Sequence, residues 1–137
     1  MGELHETAAL VGFYGDDLDP REISEALGCE PTVGVKKGGV WRTSRGGEKI
    51  AHTGSWRLKV ERGSPGDLDG QINQLFDRLS DDAVTWRSFA ARFRGVVFCG
   101  LFLNTDNEGI SLRPQTLFRI GERGLELDLD IYGAAGE

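Results

Sequence analysis

An α+β fold, a two-layer sandwich of helices on one sheet, is what this sequence predicts, and three observations carry it. Val96 to Leu103 is an unbroken apolar run of strand length. Leu125, Leu127, Leu129 and Ile131 alternate with Glu126, Asp128, Asp130 and Tyr132, the period of a strand with one apolar and one polar face. Between strand-like segments, apolar residues recur at three- and four-residue spacing behind helix-cap signals. A length of 137 residues fits one domain, 1–137, with its core at about 5–132.

Taken in order, His5 to Tyr14 reads as a first strand, rich in Ala, Leu, Val and Phe. Leu18-Asp19-Pro20-Arg21-Glu22-Ile23 is the clearest local signal in the chain. Asp19 suits the N-cap, Pro20 the first helical position, Glu22 the capping box, and Leu18 with Ile23 the hydrophobic staple. The helix places Ile23, Ala26 and Leu27 on one face and stops at Gly28, a C-terminal cap. Residues 31–52 read as an irregular segment or a loose hairpin, punctuated by Gly38-Gly39 and Gly46-Gly47. From Ser55 to Glu61, Trp56, Leu58 and Val60 alternate with polar residues, as in a half-buried strand.

Ser64-Pro65-Gly66-Asp67 repeats the cap logic with Ser64 as N-cap. Helical spacing then runs to Phe93, interrupted at Ser80-Asp81-Asp82; one bent helix or two fit, and the break favours two. Val96 to Leu103 has the character of a central strand, and Pro114 to Arg123 that of a short helix stopped by Gly124. The order strand, helix, strand, helix pair, strand, helix, strand predicts ferredoxin-like tandem βαβ units with an antiparallel or mixed sheet. The apolar side of the last ladder is expected to share an interior with Val96–Leu103, under the helices.

Composition narrows the function. Hydrophobic residues make up 39% and charged residues 28%, which is globular rather than disordered. No apolar run approaches the roughly 20 residues of a membrane helix, and the N-terminus lacks a signal-peptide pattern, so a cytoplasmic protein off the membrane is expected. Cys29 and Cys99 then read as reduced thiols. The net charge of −6 argues against a general nucleic-acid binder. Residues 36–62 are the local exception, with eight basic residues against Glu48 and Glu61.

Several motifs together resemble a known family. They are Gly15-Asp16-Asp17-Leu18-Asp19-Pro20, Ile23, Leu27-Gly28-Cys29-Glu30-Pro31-Thr32, Lys37-Gly38, Thr53-Gly54-Ser55-Trp56, Phe98-Cys99-Gly100-Leu101-Phe102, and Gly124 through Tyr132. In this order they resemble a bacterial domain of unknown function, family 4279, over about residues 9–132. One departure is Arg113 before Pro114, where a capping Ser is expected. The resemblance implies a small bacterial cytoplasmic protein and brings no activity, substrate or catalytic residue.

The residues themselves offer three candidate sites. Asp16 and Asp17 form a carboxylate pair beside a cap, and with Trp41 they could line a small-ligand or enzymatic site. Asp128 and Asp130 stand on one face of the last strand, suited to acid–base work or to a basic partner, and equally to protecting a sheet edge. The basic segment 36–62, with Trp41 and Trp56, could hold phosphates and stack bases, with Trp56 on the buried phase of its strand and Trp41 freer. Asn104, Asp106, Glu108 and Gly109 match the opening spacing of a calcium loop, but Gln115 stands where its closing Glu belongs, so a turn is expected. No nucleophile, Walker, Rossmann or metal motif is present, so neither a catalytic residue, a metal nor a cofactor is assigned. The reading is a non-catalytic protein-interaction module, with a protein partner or a second copy of itself as ligand. The alternatives are a small-ligand binder or enzyme at Asp16, Asp17 and Trp41, and a nucleic-acid contact through residues 36–62.

Overall fold

A computed structural model describes residues 2–43 and 45–134. In chain order its elements are β1 (Gly2–Glu3), β2 (Glu6–Gly15), α1 (Pro20–Leu27), β3 (Val33–Val35), β4 (Val40–Arg42), β5 (Glu48–Ile50), β6 (Gly54–Gly63), α2 (Leu68–Asp77), α3 (Ala83–Arg92), β7 (Arg94–Phe102), β8 (Glu108–Gly109), α4 (Pro114–Glu122) and β9 (Glu126–Tyr132). The main sheet has the order β3-β6-β2-β7-β9. It is mixed: β7 and β9 pair in parallel, and the other three pairings are antiparallel. Small pairs β1–β8 and β4–β5 stand outside it.

The tandem arrangement expected from the element order differs from the one observed. The second strand of the first unit, β6, lies directly against β2 and antiparallel to it. It is β3 that runs parallel to β2, with β6 between them, and β6 that runs parallel to β7, with β2 between them. Only β7-α4-β9 joins adjacent parallel strands. Residues 31–52 supply that extra edge strand β3 and the β4–β5 hairpin. Their strands are three residues long, too short for any periodicity to announce them.

Alternation along β2 puts Thr7, Ala9, Val11 and Phe13 against the helices and turns Ala8, Leu10, Gly12 and Tyr14 to the other face. Phe13 meets Trp86 and Phe89 of α3, and Phe76 of α2 packs edge-on against Trp86. Trp56 is fully buried and donates its indole N–H to Ser24 Oγ at 3.0 Å. That bond explains why Ser24, and not the exposed Ala26, joins Ile23 and Leu27 on the buried face of α1. Asp19 caps α1 through Arg21 N–H, and Gly28 ends it at a φ of 79°, a left-handed conformation that a Cβ would disfavour.

The helix pair is two helices, with Asp82 capping the second. The first begins later than its Ser-Pro signal: Asp67, not Ser64, is its N-cap and accepts from Gly70 N–H. A register shift between Thr7 and Ala9 explains what holds that end. Gln71 donates to the Thr7 and Glu61 carbonyls at 2.9 and 3.0 Å and accepts from the Thr7 hydroxyl. The bulged backbone is thereby satisfied by one buried amide.

The end of the chain corrects the expected interior. β9 lies in register beside β7, Val97 opposite Leu127 and Leu101 opposite Ile131, so the ladder does face the helix side. It is not covered. Leu127, Leu129 and Ile131 are 38%, 45% and 61% exposed, and only Leu125 joins the core. The reason lies in α4, which is drawn toward α2. Asp69 of α2 accepts from Arg113 N–H and Thr116 Oγ, and Arg119 donates to Asn73 and Asp77. The helix layer therefore stops short of the sheet's edge strand. No helix among the described residues is long and apolar enough to cross a membrane.

Candidate functional site: the open face of the sheet

Among the described residues all four helices pack on one face, and the other face is open except where the β4–β5 hairpin folds over one end. Two glycines shape that open face. A Cβ on Gly12 would stand 2.8 Å from the Tyr14 hydroxyl, and one on Gly100 3.1 Å from the Phe102 ring. Each glycine thus lets an aromatic ring lie flat on the strand that carries it. Phe102 is also stacked on Tyr132 with centroids 4.7 Å apart, and Arg62 lies 3.8 Å from its ring centre. The same Arg62 is held by Glu6, its Nε donating at 2.7 Å.

At the hairpin end lies a groove of about 730 Å³, lined among others by Tyr14, Trp41, Lys49, His52, Ser55 and Arg57. Arg57 projects from β6, on the strand phase opposite Trp56 and Leu58, in register with Gly12. Its guanidinium stacks over Trp41 at 4.9 Å. Its Nε is buried and, among the described residues, meets no hydrogen-bond acceptor. Burial pushes the Tyr14 phenol up in pKa, and Arg57 and Arg94 draw it back only in part, so Tyr14 stays a neutral hydroxyl donor at neutral pH.

At the opposite edge, β9 presents Glu126, Asp128 and Asp130. Arg94 reaches Glu126 and Asp128, both at 3.3 Å. The Tyr132 hydroxyl donates to Asp130 at 2.6 Å, and that bond is the first cause of Tyr132's raised pKa.

Of the candidate residues, Trp41 lines the groove, whereas Asp16 and Asp17 lie outside its lining. Asp16 is exposed at the end of β2 and pairs with Lys37 at 3.3 Å. Hydrogen bonds from Thr53 and Lys37 hold its carboxyl below the usual range. Asp17 is exposed in the same turn. Asp128 and Asp130 share the open face with the groove but occupy the other side of the sheet, beyond β7. Trp56 is in the core, on the helix side.

Much of the basic segment is tied up in ion pairs: Lys36 with Asp19, Lys37 with Asp16, Arg42 with Glu48 and Arg62 with Glu6. The loop with calcium-like spacing is organised by Glu108, whose carboxylate accepts from the N–H groups of His5, Asn104 and Thr105. Both cysteines are free. Cys99 is buried, with its pKa pushed up to about 12, and Cys29 is half-buried beside Arg78.

Tyr14 and Arg57 carry the groove, yet neither stood out in the sequence. Alternation in β6 does place Arg57 on the polar phase. No local signal told that the hairpin would fold over that phase and set Trp41 on the guanidinium.

A family model described as Domain of unknown function (DUF4279) matches residues 5–134. The chain belongs to this family. The match takes in the whole main sheet of this DUF4279 member, all four helices and both ends of the open face. No curated protein and no solved structure matches the chain.

Proposed function

We propose that this chain is a non-catalytic binding module that takes an extended strand from a protein partner along the outer edge of β9. One observation carries the reading: the apolar ladder Leu127, Leu129 and Ile131 faces the helix side of the sheet and stays 38%, 45% and 61% exposed. Backbone geometry supports it. Tyr132 C=O accepts from Leu103 N–H on the β7 side. Strand alternation then directs the N–H and C=O groups of Leu127, Leu129 and Ile131 outward, onto the free edge. A partner strand would meet apolar side chains on one face and Asp128 and Asp130 on the other. Its complement is an alternating apolar and basic segment.

A nucleic-acid role draws less support, since Lys36, Lys37, Arg42 and Arg62 already have carboxylate partners. The interleaved strands β3, β6, β2 and β7 read as a ferredoxin-like unit to which α4 and β9 add a fifth strand. We place the chain in the cytoplasm, where Cys29, in the loop after α1, and Cys99, in β7, would stay reduced thiols.

The test uses a synthetic peptide of alternating Val and Lys, followed by amide hydrogen exchange. Binding should slow exchange at Leu127, Leu129 and Ile131 and leave Glu126, Asp128 and Asp130, already bonded to β7, unchanged. Leu129→Pro removes one outward N–H without touching the β7 ladder and should abolish binding while the fold persists. Protection appearing elsewhere, or binding that survives Leu129→Pro, overturns the proposal.

A further inference from the structure

We propose that the groove between the β4–β5 hairpin and the open sheet face is a binding site for a small organic carboxylate with an apolar body. The argument starts from Arg57. A guanidinium has five N–H donors and no acceptor, so within a fold it is normally met by a carboxylate, carbonyls or water. Here one flat side is occupied by the Trp41 ring at 4.9 Å. The Nε–H is buried and has no acceptor among the described residues, so the fold itself leaves this guanidinium without a counter-charge bonded to it. A buried donor of this kind asks for a partner. The two Nη groups at the end of a guanidinium also stand side by side, a spacing that matches the two oxygens of a planar carboxylate.

The neighbours agree with that assignment. Tyr14, kept as a neutral phenol, brings a hydroxyl donor close enough to Arg57 for the two to interact electrostatically. Ser55 adds a hydroxyl, and Lys49 and His52 add nitrogen donors at the rim. The single acidic residue in the lining, Glu48, faces Arg42 at 3.9 Å. Trp41, Val35, Ile50 and Ala51 supply apolar wall, so a bare inorganic anion would leave most of the groove unfilled. At about 730 Å³ the groove is the size of a small-molecule site. The glycine at position 12 belongs to the same construction: any larger residue would push the Tyr14 ring from its place on the strand.

The site is separate from the β9 edge, and its test does not depend on a partner strand. Trp56 and Trp86 are fully buried, so the indole N–H of half-buried Trp41 is the resonance that reports on the groove. Benzoate should shift that resonance and raise the melting temperature, benzamide should do neither, and inorganic phosphate should bind more weakly than benzoate. Arg57→Gln should weaken benzoate binding about 10- to 100-fold, the loss expected for a charge-assisted pair. Arg57→Lys, which keeps the charge without the fork, should recover only part of it, and Tyr14→Phe should cost about 3- to 10-fold. Far-UV dichroism and the melting curve establish that each variant folds. A benzoate response unchanged in folded Arg57→Gln, or none in the wild-type chain at millimolar benzoate, overturns the assignment. So does equal binding of benzamide.

Discussion

Arg123 separates what an arginine contributes by packing from what it contributes by its charge. It is 2% exposed, with its guanidinium 4.6 Å from the Phe76 ring and 5.3 Å from that of Trp86. Nη2 donates to Asp81 and Nη1 to the Arg119 carbonyl, both at 3.1 Å, but Nε is buried without an acceptor among the described residues. Burial, and then the like charge of Arg119, push its pKa down against the pull of Glu122 and Asp81. Asp81 is largely exposed and loses little when its partner goes. Packing of the whole side chain, guanidinium included, on two aromatic rings is therefore the larger contribution. Arg123→Met keeps that volume without a charge to desolvate, and should lie within about 1 kcal/mol of the wild type. Arg123→Ala opens a void beside Phe76 and Trp86 and should cost about 2–4 kcal/mol in chemical denaturation. Equal losses in the two variants would mean that the charge holds this corner.

At the scale of elements, α4 shows a helix whose N-terminus is capped by a neighbour. Arg113 stands at the cap position and makes no side-chain cap bond. Asp69 of α2 takes over: Oδ1 accepts from Arg113 N–H at 2.9 Å and from Thr116 Oγ at 2.6 Å, and Oδ2 accepts from Arg113 Nε at 2.8 Å. Burial works to raise the Asp69 carboxyl, but the bonds from Thr116 and Arg113 outweigh it and hold the group below its ordinary pKa. A carboxyl depressed in the folded state stabilises above its unfolded value, near 4, and that contribution fades as pH falls through the folded value. Urea unfolding should therefore show Asp69→Asn destabilised by about 1–2 kcal/mol at neutral pH, with the difference shrinking below about pH 4.

The contrast with α1 shows which parts of the fold were legible in the sequence. Asp19, Pro20 and Gly28 act within their own helix, and adjacent residues announced them. The cap of α4 comes from 44 residues away, and no local pattern encodes it. β3 escaped for the same reason, since a short strand is defined by its partner, whereas the β4–β5 pair was legible as the loose hairpin that was one of two readings of residues 31–52. Periodicity in β9 told which side chains share a face, but it carried no information on whether a helix would cover them. Of the open-face site, the phase of Arg57, the freedom of Trp41 and the shared face of Asp128 and Asp130 were readable. The convergence of Tyr14, Trp41 and Arg57 was not.

For the molecule as a whole, the free β9 edge raises the matter of why copies of the chain should not pair with one another. Two β9 strands can meet antiparallel about Leu129, which sets Leu127 opposite the partner copy's Ile131 and brings the outward backbone groups together. The same register sets Asp128 directly opposite Asp130 of the other copy, twice over. These are the close, non-hydrogen-bonded positions, about 4.5 Å apart between Cα atoms. Like charges so placed oppose pairing. Arg94 offsets part of the charge, since it already reaches Asp128 at 3.3 Å, but Asp130 meets only the Tyr132 hydroxyl among the described residues. On the reading proposed above, the acidic face acts as a filter, leaving the edge open to a basic strand and closing it to its own kind. Sedimentation equilibrium should find the wild-type chain monomeric at neutral pH. Asp128→Asn with Asp130→Asn keeps the shape of both side chains, removes the repulsion, and should shift the chain toward a dimer whose formation Leu129→Pro prevents. A double variant that stays monomeric at high concentration would locate the barrier to pairing elsewhere than in these carboxylates.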